Sequence, residues 1–77
     1  MTNNVAVIGL GFVGLTTALG LAESGIQVAG FDAASSRRDD IANGQIPFHE
    51  PGLDLALGRH LGGRFFIATT LADALST

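Results

Sequence analysis

The chain has 77 residues, no cysteine, and four basic against seven acidic side chains, for a net charge of −3. That length holds one small domain near the size at which a single core becomes marginal. The charge balance offers no basic face for nucleic acid or an anionic membrane, and the missing cysteines exclude disulfides, thiolate metal sites and a thiol nucleophile while fitting a cytoplasmic location. Residues 1–22 carry no charged side chain, which is the length of a membrane span. Glycines at 9, 11, 14 and 20 and the lack of a basic leader argue against a span or a signal peptide.

The first element is a strand, Val5-Ala6-Val7-Ile8, running directly into Gly9-Leu10-Gly11-Phe12-Val13-Gly14. A G-x-G-x-x-G that follows a β-branched run and opens an apolar-periodic helix is a dinucleotide-binding fingerprint. Gly9 permits the tight turn, Gly11 lets the backbone approach a diphosphate, and Gly14 lets the helix lie close to the strand. No basic residue precedes Arg37, so free N–H groups and the helix dipole must hold the phosphates. Leu15, Ala18, Leu19 and Ala22 recur at helical spacing and should face a sheet, with Ser24-Gly25 as the stop.

A second strand, Ile26 to Phe31, ends at Asp32. A carboxylate there accepts from adenosine ribose hydroxyls and repels a 2′-phosphate, which points to NAD rather than NADP. Arg37 and Arg38 pull the other way, because an arginine near the ribose also accommodates NADP; the strand-end position of Asp32 is the more specific signal. A short helix is expected from a Ser36 cap, with Asp39 three residues on, to Asn43-Gly44, contributing Ile41 and Ala42 to packing.

Residues 45–52 read as a loop, with Pro51 in the first turn of a helix reaching His60 and presenting Leu53, Leu57 and Leu61 on one side. Gly62-Gly63 ends that helix and Arg64 to Thr69 reads as the third strand. Thr70 with Asp73 is the cap of a further helix. The fold class is therefore α/β: a Rossmann-type β-α-β-α-β half of a doubly wound parallel sheet, strand order 3-2-1, truncated, with residues 1–77 forming a partial dinucleotide-binding domain and no second domain. The fourth strand of such a sheet is not in the sequence, so one flank of strand 1 should be an open, association-prone edge.

Gly9-Leu10-Gly11-Phe12-Val13-Gly14-Leu15, Asp32 with Arg37, Asn43-Gly44-Gln45-Ile46-Pro47-Phe48-His49-Glu50-Pro51-Gly52-Leu53, and Ala68-Thr69-Thr70 together resemble the N-terminal region of the UDP-glucose/GDP-mannose dehydrogenase family. The Glu-Pro-Gly-Leu segment is the more specific part, since the glycine fingerprint is shared by many dehydrogenases. The resemblance, nearest the UDP-glucose branch, implies a cytoplasmic homo-oligomeric enzyme. Such an enzyme oxidises the C6 alcohol of UDP-glucose or a related nucleotide sugar to a carboxylate, with two NAD and a cysteine-bound intermediate. It also implies that Gly9, Leu10, Gly11, Phe12, Val13 and Gly14 bind NAD and that Asp32 and Arg37 contact its adenosine half. With no Cys and no Lys in the chain, no catalytic residue is assigned here, the nucleotide sugar should bind only with further segments, and the 77 residues alone should be inactive.

The remaining signals have plainer readings. His49 and His60 lack metal-ligand spacing, and His60 suits a helix C-terminus. Glu50 reads as a helix-start carboxylate, Arg38 as a surface residue, and the five phenylalanines as packing, with Phe12 able to border a cofactor. Two alternatives stay open: a 6-phosphogluconate or 3-hydroxyisobutyrate type of dehydrogenase, which Phe12-Val13 in place of x-Met disfavours, and a non-catalytic nucleotide-sensing module.

Overall fold

The computed structural model describes residues 4–48 and 50–76. Strand β1 (Asn4–Ile8) leads into helix α1 (Phe12–Glu23), β2 (Gln27–Phe31), α2 (Ser35–Ala42), α3 (Leu53–His60), β3 (Phe65–Ile67) and α4 (Leu71–Leu75). The three strands form one parallel sheet in the order β1-β2-β3, with Val5 beside Val28 and Val28 beside Phe65. Parallel pairing requires crossovers, and the helices between strands supply them. All strand carboxyl ends therefore lie at one end of the sheet, where Gly9, Asp32 and Ala68 follow.

The two faces of the sheet are covered unequally. On one, Leu15, Ala18, Leu19 and Ala22 of α1 pack with Val28, Phe65, Leu53 and Leu57, as the helical spacing predicted. On the other, the buried cluster is three alanines, Ala29, Ala68 and Ala74, beneath α4. Ile8, Phe66, Leu71 and Leu75 remain exposed. Gly30 sits where the first face is tightly packed: a Cβ there would come within 2.8 Å of the Phe65 ring. A glycine inside a strand signals such close approach, and the sequence reading passed over it.

Helices α1 and α2 stop by the same device. Gly25 donates to Ala22 and Ile26 to Leu21; Gly44 donates to Ile41 and Gln45 to Asp40. This is the Schellman pattern, with glycine at the left-handed position. The α2 start differs from expectation: the helix begins at Ser35 with no side-chain cap, and Ser36 lies inside it. The reason is Asp32, whose Oδ1 accepts from the Ala34 N–H at 2.9 Å and turns the chain into the helix early. Ala42 is exposed, leaving Ile41 as the helix's buried residue.

Pro51 also does a different job. Leu53 N–H donates to the Glu50 carbonyl at 3.1 Å, and Gly52 has φ +87°, so Pro51-Gly52 are the central pair of a type II turn that precedes α3. The third strand is shorter than the apolar run, Phe65–Ile67, although Val28 N–H to Arg64 O and Ala68 N–H to Gly30 O extend its ladder at both ends. Thr70 caps α4 as its sequence predicted, accepting from the Asp73 N–H at 3.0 Å. No helix among the described residues is long and apolar enough to cross a membrane.

Candidate functional site

The turn between β1 and α1 is made of backbone. Gly9 adopts φ +95°, and its N–H donates to Phe31 O at 2.7 Å, tying the end of β1 to the end of β2. Gly14 lies directly against this turn, since a Cβ there would overlap the Gly9 carbonyl oxygen. Gly11 is the reverse case: a Cβ would meet nothing within 4 Å, so sterics inside the chain do not require this glycine. Gly11 is the N-cap of helix α1, which has no side-chain cap and no acidic residue in its first turn. The helix's first N–H groups have no intrahelical partners.

Asp32 stands immediately beyond β2 and reaches across to this turn. Its Oδ2 accepts from Leu10 N–H at 2.7 Å and its Oδ1 from Ala34 N–H at 2.9 Å. Hydrogen bonds of this kind favour the charged form. They hold the carboxyl below its ordinary value, the Leu10 bond contributing most, then Ala34, against a smaller opposing effect of burial and with weaker help from Arg37 and Arg38. Each carboxylate oxygen still has acceptor capacity.

The arginines are not free surface groups. Arg37 Nη1 donates to Leu10 O at 2.9 Å, and its guanidinium carbon lies 5.1 Å from the Phe48 ring centroid. Phe48 in turn meets Phe12 edge-on, centroids 6.0 Å apart. Arg38, expected at the surface, donates to Asp32 O at 2.7 Å and sits over the Phe31 ring. The structure thus brings Leu10, Phe12, Asp32 and Arg37 together around one turn, while Val13 projects outward. Phe48 is the member that sequence reasoning left as simple packing.

Glu50 does not cap α3: no side chain caps that helix, and Glu50 is exposed on an open cleft of about 440 Å³ shared with Ile46, Phe48, Pro51 and Asp54. His60 has a specific partner, Glu23, whose Oε1 lies 2.9 Å from Nε2 and also accepts from Arg59. These contacts, Arg59 first, lower the Glu23 pKa. His49 lies outside the described residues. Among those described, no group of three metal-ligating side chains occurs.

The description "UDP-glucose/GDP-mannose dehydrogenase family, NAD binding domain" matches residues 3–77. A UDP-N-acetyl-D-mannosamine dehydrogenase of Campylobacter jejuni is 41% identical over 71 residues, covering 92% of this chain and 17% of that protein. The solved UDP-glucose dehydrogenase of Pyrobaculum islandicum superimposes with TM-score 0.91 at 36% identity, over 99% of this chain and 18% of its own. A GDP-mannose dehydrogenase from Pseudomonas aeruginosa does so with TM-score 0.82 at 35% identity, over 91% and 16%. The chain spans about one-sixth of the length of these relatives, which act on three different nucleotide sugars, so the UDP-glucose branch is not singled out. Fingerprint, parallel sheet and matched region agree that the chain belongs to the UDP-glucose/GDP-mannose dehydrogenase family, within its NAD binding domain.

Proposed function

We propose that this chain holds NAD across the carboxyl ends of β1 and β2. In this reading the diphosphate lies on the N–H groups of Gly11 to Gly14, and Asp32 receives the adenosine ribose hydroxyls. Arg37 flanks the adenosine, while Gly9 shapes the turn and Leu10, Phe12 and Val13 border the ligand. The observation that carries the reading is the pairing of an ionised strand-end carboxylate with an uncapped helix start across one backbone turn. NAD supplies hydride acceptance; the residues here bind and orient it.

The protein containing this chain is proposed to oxidise the C6 alcohol of a nucleotide sugar, UDP-glucose or a relative, to the carboxylate. The chemistry and sugar recognition would reside in other segments, because the chain has neither Cys nor Lys. A partial dinucleotide-binding domain, a cytoplasmic location and a homo-oligomeric assembly belong to the same reading.

Calorimetric titration of the chain with NAD and with NADP tests the cofactor assignment. The expected result is NAD binding with NADP weaker by about tenfold or more, since a 2′-phosphate would be placed against the Asp32 carboxylate. Equal affinity for the two, or no affinity for NAD, contradicts it.

A further inference from the structure

Leu10 is fully buried, and both polar groups of its backbone are held by side chains far along the sequence. Asp32 takes its N–H and Arg37 takes its carbonyl. The second bond has a geometric consequence. The Leu10 carbonyl and the Gly11 N–H belong to one planar trans peptide, so the direction of one fixes the opposite direction of the other. Anchoring the oxygen on Arg37 therefore aims the Gly11 N–H away from the guanidinium.

Arg37 is itself steadied. Phe48 lies under the guanidinium and is held edge-on by Phe12, which belongs to the first turn of α1. Three segments distant in sequence thus close a ring of contacts around the Leu10 peptide. A long arginine is costly to immobilise in water, and an aromatic platform reduces what must be ordered when the hydrogen bond forms.

We propose that Arg37 is a positioning residue for the diphosphate-holding turn: it fixes the Leu10-Gly11 peptide plane before any ligand arrives, with Phe48 as its buttress. The ligand in this proposal rests on the NAD reading above, whereas the restraint on the turn exists in the free chain. A residue that only touched adenosine would leave the diphosphate end unaffected. Arg37 and inorganic pyrophosphate are coupled here although pyrophosphate carries no adenosine.

The test uses the full chain and the variants Arg37→Lys, Arg37→Met and Phe48→Leu, each checked for native amide dispersion. Two quantities are read: the 15N relaxation order parameter of the Gly11 amide without ligand, which reports the Leu10-Gly11 peptide itself, and affinity for inorganic pyrophosphate beside that for NAD. Lysine keeps the charge but not the guanidinium fork, so Arg37→Lys and Arg37→Met should both lower the Gly11 order parameter and weaken pyrophosphate by about tenfold, the scale of one charge-assisted hydrogen bond. Phe48→Leu should give about a twofold effect in the same direction, from a lost cation–π contact at a half-exposed site. An unchanged Gly11 order parameter in both Arg37 variants overturns the proposal. So does a loss of NAD affinity with pyrophosphate affinity kept, which would make Arg37 an adenosine contact alone, or wild-type pyrophosphate affinity in Arg37→Lys, which would reduce its role to charge. If the native chain binds neither ligand, the NAD reading fails and the Gly11 order parameter still decides the restraint.

Discussion

The turns that open α1 and α4 both follow a parallel strand at the same end of the sheet, yet they treat their free N–H groups in opposite ways. At α4 the chain satisfies its own donors: the Thr70 hydroxyl accepts from Asp73 N–H, and Asp73 places a carboxylate in the first turn. At α1 there is a glycine at the cap, no side-chain acceptor and no acidic residue. Nothing in helix formation demands this omission, since a capping oxygen typically stabilises a helix start by about 1 kcal/mol. The α1 start leaves its first N–H groups without a side-chain acceptor, as the proposed diphosphate seat requires, whereas the α4 start satisfies its own.

Substitutions separate the two arrangements by size of effect. The largest is expected from Gly14→Ala, whose methyl group would overlap the Gly9 carbonyl and push α1 off β1; chemical unfolding should show a loss of roughly 3 kcal/mol or more, in the range reserved for steric overlap at a special backbone position. Native stability in that variant would break the account of why the turn is tight.

Asp32→Ala comes next, at about 1–3 kcal/mol, because it leaves the Leu10 and Ala34 N–H groups without their acceptors. The pH dependence has a definite sign. Asp32 is held below its ordinary value of 3.8 in the folded chain. Its contribution is therefore complete above that value and is lost as pH falls through the lower folded one. The stability gap between the native chain and Asp32→Ala should shrink in acid, and a gap that widens below about pH 4 would remove the hydrogen-bonded carboxylate from the argument.

Thr70→Ala tests the finished start and should cost about 1 kcal/mol in thermal or chemical unfolding, with NAD affinity unaltered. The smallest stability change belongs to Gly11→Ala, within about 0.5 kcal/mol, since its backbone is extended and a methyl group meets open space. The same variant should lose NAD affinity by about tenfold or more by crowding the diphosphate. A Gly11→Ala chain that binds NAD normally would show that the open space is not used.

What the sequence made legible was whatever depends on local chemistry. The strand-turn-helix form of the glycine fingerprint, the Leu15 to Ala22 stripe, the Asn43-Gly44 stop and the Thr70 cap are each read within a few residues, and all four stand in the structure. Ser36 was misread because the acceptor that starts α2 is Asp32, outside the usual capping frame. Pro51 was misread because Pro-Gly satisfies a type II turn as well as a proline-led helix, and only the Gly52 dihedral decides between them. The bracing of Leu10 by Asp32 and Arg37, and of Arg37 by Phe48, joins segments whose separation leaves no periodic signature. Arg38 on Phe31 was missed for a related reason: an arginine beside a charged run looks solvated until the aromatic strand residue next to it is placed.

The most direct test of the central claim is a two-dimensional NMR titration of the labelled chain with NAD, following the amides of Gly11 to Gly14 against those at the start of α4. Large shifts are expected at Gly11 to Gly14 and near Asp32, with Leu71 to Asp73 unmoved. Shifts confined to other surfaces, or equal at both helix starts, would contradict it.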